Sequence, residues 1–244
     1  MSFIYDCSFN IYFSLGSYVI KRASINTGTV GNGSVDASMF GSGGDLESIL
    51  PQVLELAQNE DWRIRKEVIS LTSTIAETAG IDFFKASVQS HLISAFEDQI
   101  SDVRVSATSI LPKLVSILGT EWLGSEMMPK LIAMYSNIST PNAMSPSSES
   151  SYLLRITVVS ALGGIASEQL DSTVAASAVD LLVRAARDAV PNVRFNAALA
   201  LAKFGAVSSD QLTSTKIKPA LTEMTSDADV DCSTYASECL EKLS

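Results

Sequence analysis

The sequence predicts an all-α fold of stacked helical repeats, an α-α superhelix. Three observations support it. Five segments recur with a 39-residue period, each segment carries two amphipathic helical stretches, and no period-two alternation of a strand interrupts the repeat region.

The period is anchored on Arg65, Arg104, Arg155, Arg194 and Ser233, at spacings of 39, 51, 39 and 39. The long spacing carries twelve extra residues, and its segment holds the Pro- and Ser-rich tract ISTPNAMSPSSES (138–150), which reads as a loop insertion. Other columns keep the register. The residue before each anchor is Ile64, Val103, Leu154, Val193 or Cys232, always apolar. Six before it stand Asn59, Asp98, Glu149, Asp188 and Asp227, all polar and four of them acidic. Fourteen before it, with the insertion removed, stand Pro51, Ser90, Pro129, Asp180 and Pro219, which the spacing places near the start of each first helix.

Within the first repeat, Leu46, Ile49, Leu50, Val53, Leu54 and Ala57 follow helical spacing, with Asp45 placed to cap them. After a polar turn, Ile64, Val68, Leu71, Ile75, Ala76 and Ala79 form a second stripe that Gly80 ends. The second repeat follows suit, with Val103, Ala107, Ile110, Leu111 and Leu114 and then Gly119. Neither helix can bury its stripe alone, so neighbouring pairs must stack. A period near 40 with two helices per unit is the pattern of HEAT and armadillo arrays. The expected repeats are 45–80, 81–119, 120–170 with the insertion at 138–150, 171–209 and 210–244, after an unmatched segment 1–44 whose GTVGNGSVDASMFGSGG reads as a linker. The columns predict a stacking ladder in which Arg65, Arg104, Arg155 and Arg194 pair with Asp98, Asp188 and Asp227 between adjacent repeats.

Composition bounds the function. Hydrophobic residues make up 46% of the 244 and charged residues 18%, enough for a large core. The net charge of −10 lies in the repeat region, which argues against nucleic acid and anionic membranes as partners. The apolar N-terminal stretch lacks a basic leader and is broken by Asp6 and Asn10, so it reads as neither signal peptide nor membrane span. Three cysteines (Cys7, Cys232 and Cys239) with no CxxC read as free thiols, the last two packing on one helix. His91 is the one histidine, so any Ser/His/Asp set would depend on it and no second histidine exists for a metal pair; a lone helical histidine reads as a surface or packing residue, and no phosphate-cradling glycine motif occurs. The expectation is therefore a non-enzyme with no cofactor and no metal.

Four stretches carry a resemblance: DWRIRKEVIS (61–70), GTEWLGSEMMPKLIAM (119–134), PNVRFNAALALAKFG (191–205) and KIKPALTEMTSDADVD (216–231). In order and from about Leu46 onward, they resemble the HEAT-repeat scaffolding (A) subunit of protein phosphatase 2A, over its last five repeats of fifteen. The resemblance implies a cytoplasmic scaffold, with the nucleus left open. It would bind the phosphatase catalytic subunit through the turns between the two helices of each repeat. Regulatory B-type subunits use upstream repeats that this sequence does not match. Carried over by position, the partner-binding residues would be Trp62 and Arg63 in the first turn, Tyr152 in the third, Val190, Pro191 and Asn192 in the fourth, and Asp229 in the fifth. Each can also be read as a turn or cap residue, and Trp62 as cover for the start of its own helix. The insertion at 138–150 departs from the family beside Tyr152. A generic HEAT adaptor for another protein client is the alternative reading.

Overall fold

The computed structural model describes residues 53–137 and 148–243. The linker segment 1–44, Asp45, Pro51 and most of the 138–150 tract lie outside the described residues. The chain divides into two compact units, Met1–Ala95 and Phe96–Ser244. All the described elements are helical, and the fold is an all-α helical-repeat solenoid.

In the first unit, α1 (Trp62–Phe83) starts at Asp61, whose carboxylate accepts the Arg63 N–H at 2.9 Å. Gly80, at φ 80° and ψ 174°, breaks the helix; a side chain there would be strained, so the turn needs glycine. The chain then re-enters helix at once, passes through a π-turn at Phe84–Val88, and continues as α2 (Gln89–Phe96). Val68, Ile69, Ile75 and Ala76 of α1 are buried, as are Phe84, Val88 and Leu92. Each such large side chain contributes roughly 1.5–3 kcal/mol of apolar burial.

In the second unit, the second helices of successive repeats are α3 (Ser101–Leu118), α6 (Ser148–Ile165), α8 (Pro191–Val207) and α11 (Val230–Lys242), and each packs on the next. The first helices form another layer. They are α4 (Thr120–Trp122) running through a π-turn, Leu123–Met127, into α5 (Met128–Asn137); α7 (Ser172–Ala185); and α9 (Asp210–Leu212) running through Thr213–Ile217 into α10 (Lys218–Met224). The core repeats with the sequence: Leu131, Leu182 and Leu221 share one position of the 39-residue register and are fully buried, as is Leu92 at that position in the first unit. Small residues set the closest approach of α6 and α8. A Cβ on Gly163 would lie 3.1 Å from that of Ala200, tighter than ordinary contact.

Two sequence expectations need correction. The insertion was expected to be loop through residue 150, yet α6 begins at Ser148, so its last three residues are helical. The proline column was expected at the start of each first helix. Instead Pro129 and Pro219 lie inside a continuous helical run, as the second residues of α5 and α10, each two residues beyond a π-turn. Proline has no N–H to give and crowds the preceding turn, so it suits a place where the ladder has already widened. The same column is Ser90 after the π-turn at Phe84–Val88, and Asp180 in α7, which has no π-turn. Proline therefore accompanies the widened turn without being required for it.

Candidate interaction surface

The turn between the two helices of a repeat is held by its arginine. Arg65 Nη1 donates to the carbonyls of Asn59 (2.7 Å) and Glu60 (3.1 Å). Arg104 does the same to Asp98 (2.7 Å) and Gln99 (3.1 Å), and Arg194 to Asp188 (2.8 Å) and Ala189 (3.2 Å). The arginine thus satisfies two carbonyls that leave the preceding helix without partners. In Arg155 and Arg194, other nitrogens of the guanidinium reach the next repeat. Arg155 Nε and Nη2 bind Asp188 at 2.7 and 3.0 Å, and Arg194 Nε and Nη2 bind Asp227 at 2.7 Å each. Both are two-pronged pairs, with side-chain exposures of 9% and 6% in the first and 15% and 9% in the second, so water screens them little.

The acid closes its own turn as well. Asp98, Asp188 and Asp227 each accept the backbone N–H two residues on, at 2.8, 2.9 and 2.9 Å. Asn59 accepts from Asp61 N–H at 2.9 Å in the same way, which explains how an amide fits a column of acids. Asp188 also accepts the Tyr135 hydroxyl at 2.8 Å. Burial, and then that bond, push the Tyr135 phenol well above its usual range. The Arg194 bonds hold the Asp227 carboxyl below its usual range. Burial first, with the nearby Asp227 charge, pushes the Cys232 thiol up to about 11, and its S–H donates to the Pro191 carbonyl at 3.3 Å.

With these groups turned inward, other turn residues face solvent. Arg63 lies over the Trp62 ring at 4.7 Å, both at the start of α1, with Trp62 half-buried and Arg63 exposed. In the second unit, Tyr152 is half-buried at the fifth residue of α6, and Pro191 and Asn192 are exposed in the first turn of α8. Two of the proposed contacts are committed locally. Val190 is the half-buried N-cap position of α8, and the Asp229 carboxylate caps α11 by accepting Cys232 N–H at 3.0 Å. Among the residues that the fifth turn shows to solvent is Val230, 75% exposed. The sequence contained the signal, since Val230 shares a column with Trp62, Tyr152 and Pro191, but the resemblance drew attention to its neighbour.

Among the described residues, no three His, Cys, Asp or Glu side chains gather as a metal site, and no helix is long and apolar enough to cross a membrane. His91 is half-buried on α2, and burial lowers its pKa.

The architecture is that of a helical-repeat solenoid, built by stacking pairs of helices. Residues 147–241 match the family model for HEAT repeats. Among solved structures, Cex1p is similar at a TM-score of 0.60 with 15% identity, over 98% of this chain and 41% of that one. A designed armadillo repeat protein gives a TM-score of 0.42 with 18% identity over 86% of this chain and 96% of that one. Computationally designed armadillo repeat proteins for modular peptide recognition give 0.44 with 20% identity, over 94% of this chain and 93% of that one. Curated proteins give no match.

Proposed function

We propose that this chain is a non-catalytic scaffold subunit that binds the catalytic subunit of a type 2A Ser/Thr protein phosphatase through its intra-repeat turns. The observation that carries the binding role is the division of labour at each turn. Buried arginine and aspartate fix the backbone, and Trp62, Arg63, Tyr152, Pro191 and Asn192 are left for a partner. A surface held rigid before binding loses little conformational entropy on association. The choice of phosphatase rests on the ordered sequence resemblance over 61–231, and with it goes a cytoplasmic site of action. The chain acts by placement and performs no chemistry itself.

The test is co-purification with the catalytic subunit. The wild-type chain captures it. Trp62→Ala with Arg63→Glu, which removes an aromatic anchor and inverts the charge beside it, weakens capture by roughly thirtyfold, as loss of roughly 2 kcal/mol at a hot spot requires. Circular dichroism identical to wild type shows that the double variant is folded. A folded wild-type chain that fails to capture the catalytic subunit refutes the assignment and leaves a HEAT adaptor for another client.

A further inference from the structure

The second unit exposes apolar side chains where a solvated helix start would carry polar ones. Val105 on α3 is 60% exposed, Leu153 on α6 38%, and Val230 on α11 75%. Phe195 of α8 and Tyr235 of α11 continue the strip, their rings edge to face at 4.5 Å. All five lie in the first two turns of consecutive second helices, so they form one band and not scattered surface residues.

The charges at this band are one-sided. Arg104, Arg155 and Arg194 are drawn inward to turn carbonyls and to Asp188 and Asp227. Among the described residues of the first turns of these second helices, the exposed charges are Asp102 on α3 and Asp231 on α11, one column of successive repeats with Leu153 and Asn192 between them. Neither carboxylate makes an ion pair among the described residues, and both stand in the first turn of their helices. In that column the band reads acid, apolar, amide, acid, and Phe195, one turn on from Asn192, supplies the apolar surface of α8.

We propose, building on the reading of these turns as a partner-binding face, that this band of the second unit takes a protein segment with an apolar centre and a Lys or Arg toward each end. Helix neighbours lie ~8–10 Å apart, so three steps from α3 to α11 set the two carboxylates ~24–30 Å apart. An extended chain covers that distance in roughly 7–9 residues. A second copy of this chain fits badly: face to face about a two-fold axis it sets Asp102 against Asp231, on a protein of net charge −10. The same sign disfavours phosphate-bearing surfaces.

The experiment uses the full chain and two synthetic peptides of about a dozen residues with the same Leu/Phe centre, an extended span of at least the ~7–9 residues required. One has Lys-Arg at both ends and the other Glu-Glu. Binding by fluorescence anisotropy favours the basic-ended peptide at least tenfold at low salt, and the preference shrinks as salt rises. Asp102→Lys with Asp231→Lys, both at exposed sites, reverses the preference with no change in circular dichroism. Val230→Asp weakens binding of the basic-ended peptide even though it adds negative charge, because the strip loses an apolar contact. Equal binding of the two peptides, no binding of either, or a concentration-dependent dimer that the two lysines strengthen overturns the proposal. Capture of the phosphatase catalytic subunit is measured on the same variants. Capture unchanged by the lysines refutes this inference and leaves the scaffold reading standing. Loss of capture by the wild-type chain, with the peptide preference intact, refutes only the phosphatase assignment.

Discussion

Replacing Arg194 with alanine tests whether the turn arginine is the link between repeats. The substitution removes four bonds at once. Two are the 2.7 Å contacts to Asp227 in the next repeat, and two are those to the Asp188 and Ala189 carbonyls in its own turn. Asp227 has only 9% of its side chain exposed, so it becomes a nearly dry carboxylate left with the Asp229 N–H at 2.9 Å. Breaking a buried pair from one side costs ~3–5 kcal/mol. The retained N–H and the freed carbonyls' access to water at the turn place the expected loss near the lower end, about 3 kcal/mol. Asp227→Asn should cost less, about 1–2 kcal/mol, because an amide still closes the turn as Asn59 does and Arg194 keeps its carbonyls. Arg187→Ala is the comparison. It breaks an equally two-pronged pair with Glu223 whose side chains are 60% and 55% exposed, and such pairs contribute ~0–1 kcal/mol. Urea unfolding gives the free energies, and amide exchange over 210–243 shows where protection is lost, since a repeat array frays at the weakened junction. If Arg194→Ala is no more costly than Arg187→Ala, or if protection falls evenly across the second unit, the arginine is not the junction's lock.

The same junction should respond to acid. The Arg194 bonds depress the folded-state pKa of Asp227, so its stabilisation is present above the ordinary carboxylate value and is lost as pH falls through the lower folded value. Protection of 210–243 should therefore weaken below about pH 4, and Asp227→Asn should flatten that dependence. At the other kind of turn, Gly119 adopts φ 89° with open space around the missing Cβ, so Gly119→Ala costs backbone strain and no clash. Thermal unfolding should register about 1–2 kcal/mol, against under ~1 kcal/mol for Gly164→Ala, whose helical φ suits alanine and whose nearest neighbour would lie 3.5 Å from the new Cβ.

The repeat register was legible because burial imposes it. Leu92, Leu131, Leu182 and Leu221 must point inward in every unit, so their spacing is written in the sequence. The pairing of Arg155 with Asp188 and of Arg194 with Asp227 could be read from columns of opposite charge. The other use of those arginines could not. Their bonds to turn carbonyls involve backbone, which every residue carries alike and which leaves no mark in composition. The π-turns were hidden for a related reason. Buried positions spaced by four occur at Phe84, Val88 and Leu92, where the helix widens, and also at Val174, Ala178 and Leu182, where it does not. The stripe alone cannot tell a widened turn from a regular one. Asp229, singled out as a contact, also caps α11, and cap and contact favour the same short acidic side chain at the same place.

That overlap explains why the turns suit binding. A residue at the start of a second helix sits beside backbone N–H groups, an arginine and an aspartate, any of which could compete for its side chain. Here the competition is settled internally. At Asp188, one carboxylate takes two bonds from Arg155, one from Tyr135 and one from Val190 N–H, which exhausts its usual capacity. A turn with no unmet polar demand has no reason to draw Pro191 or Asn192 inward, and both remain exposed. Rigidity and availability thus share one cause. A substitution that loosens the Arg155–Asp188 pair is expected to weaken partner capture even though neither side chain reaches the surface, by letting the exposed residues relax onto the freed groups.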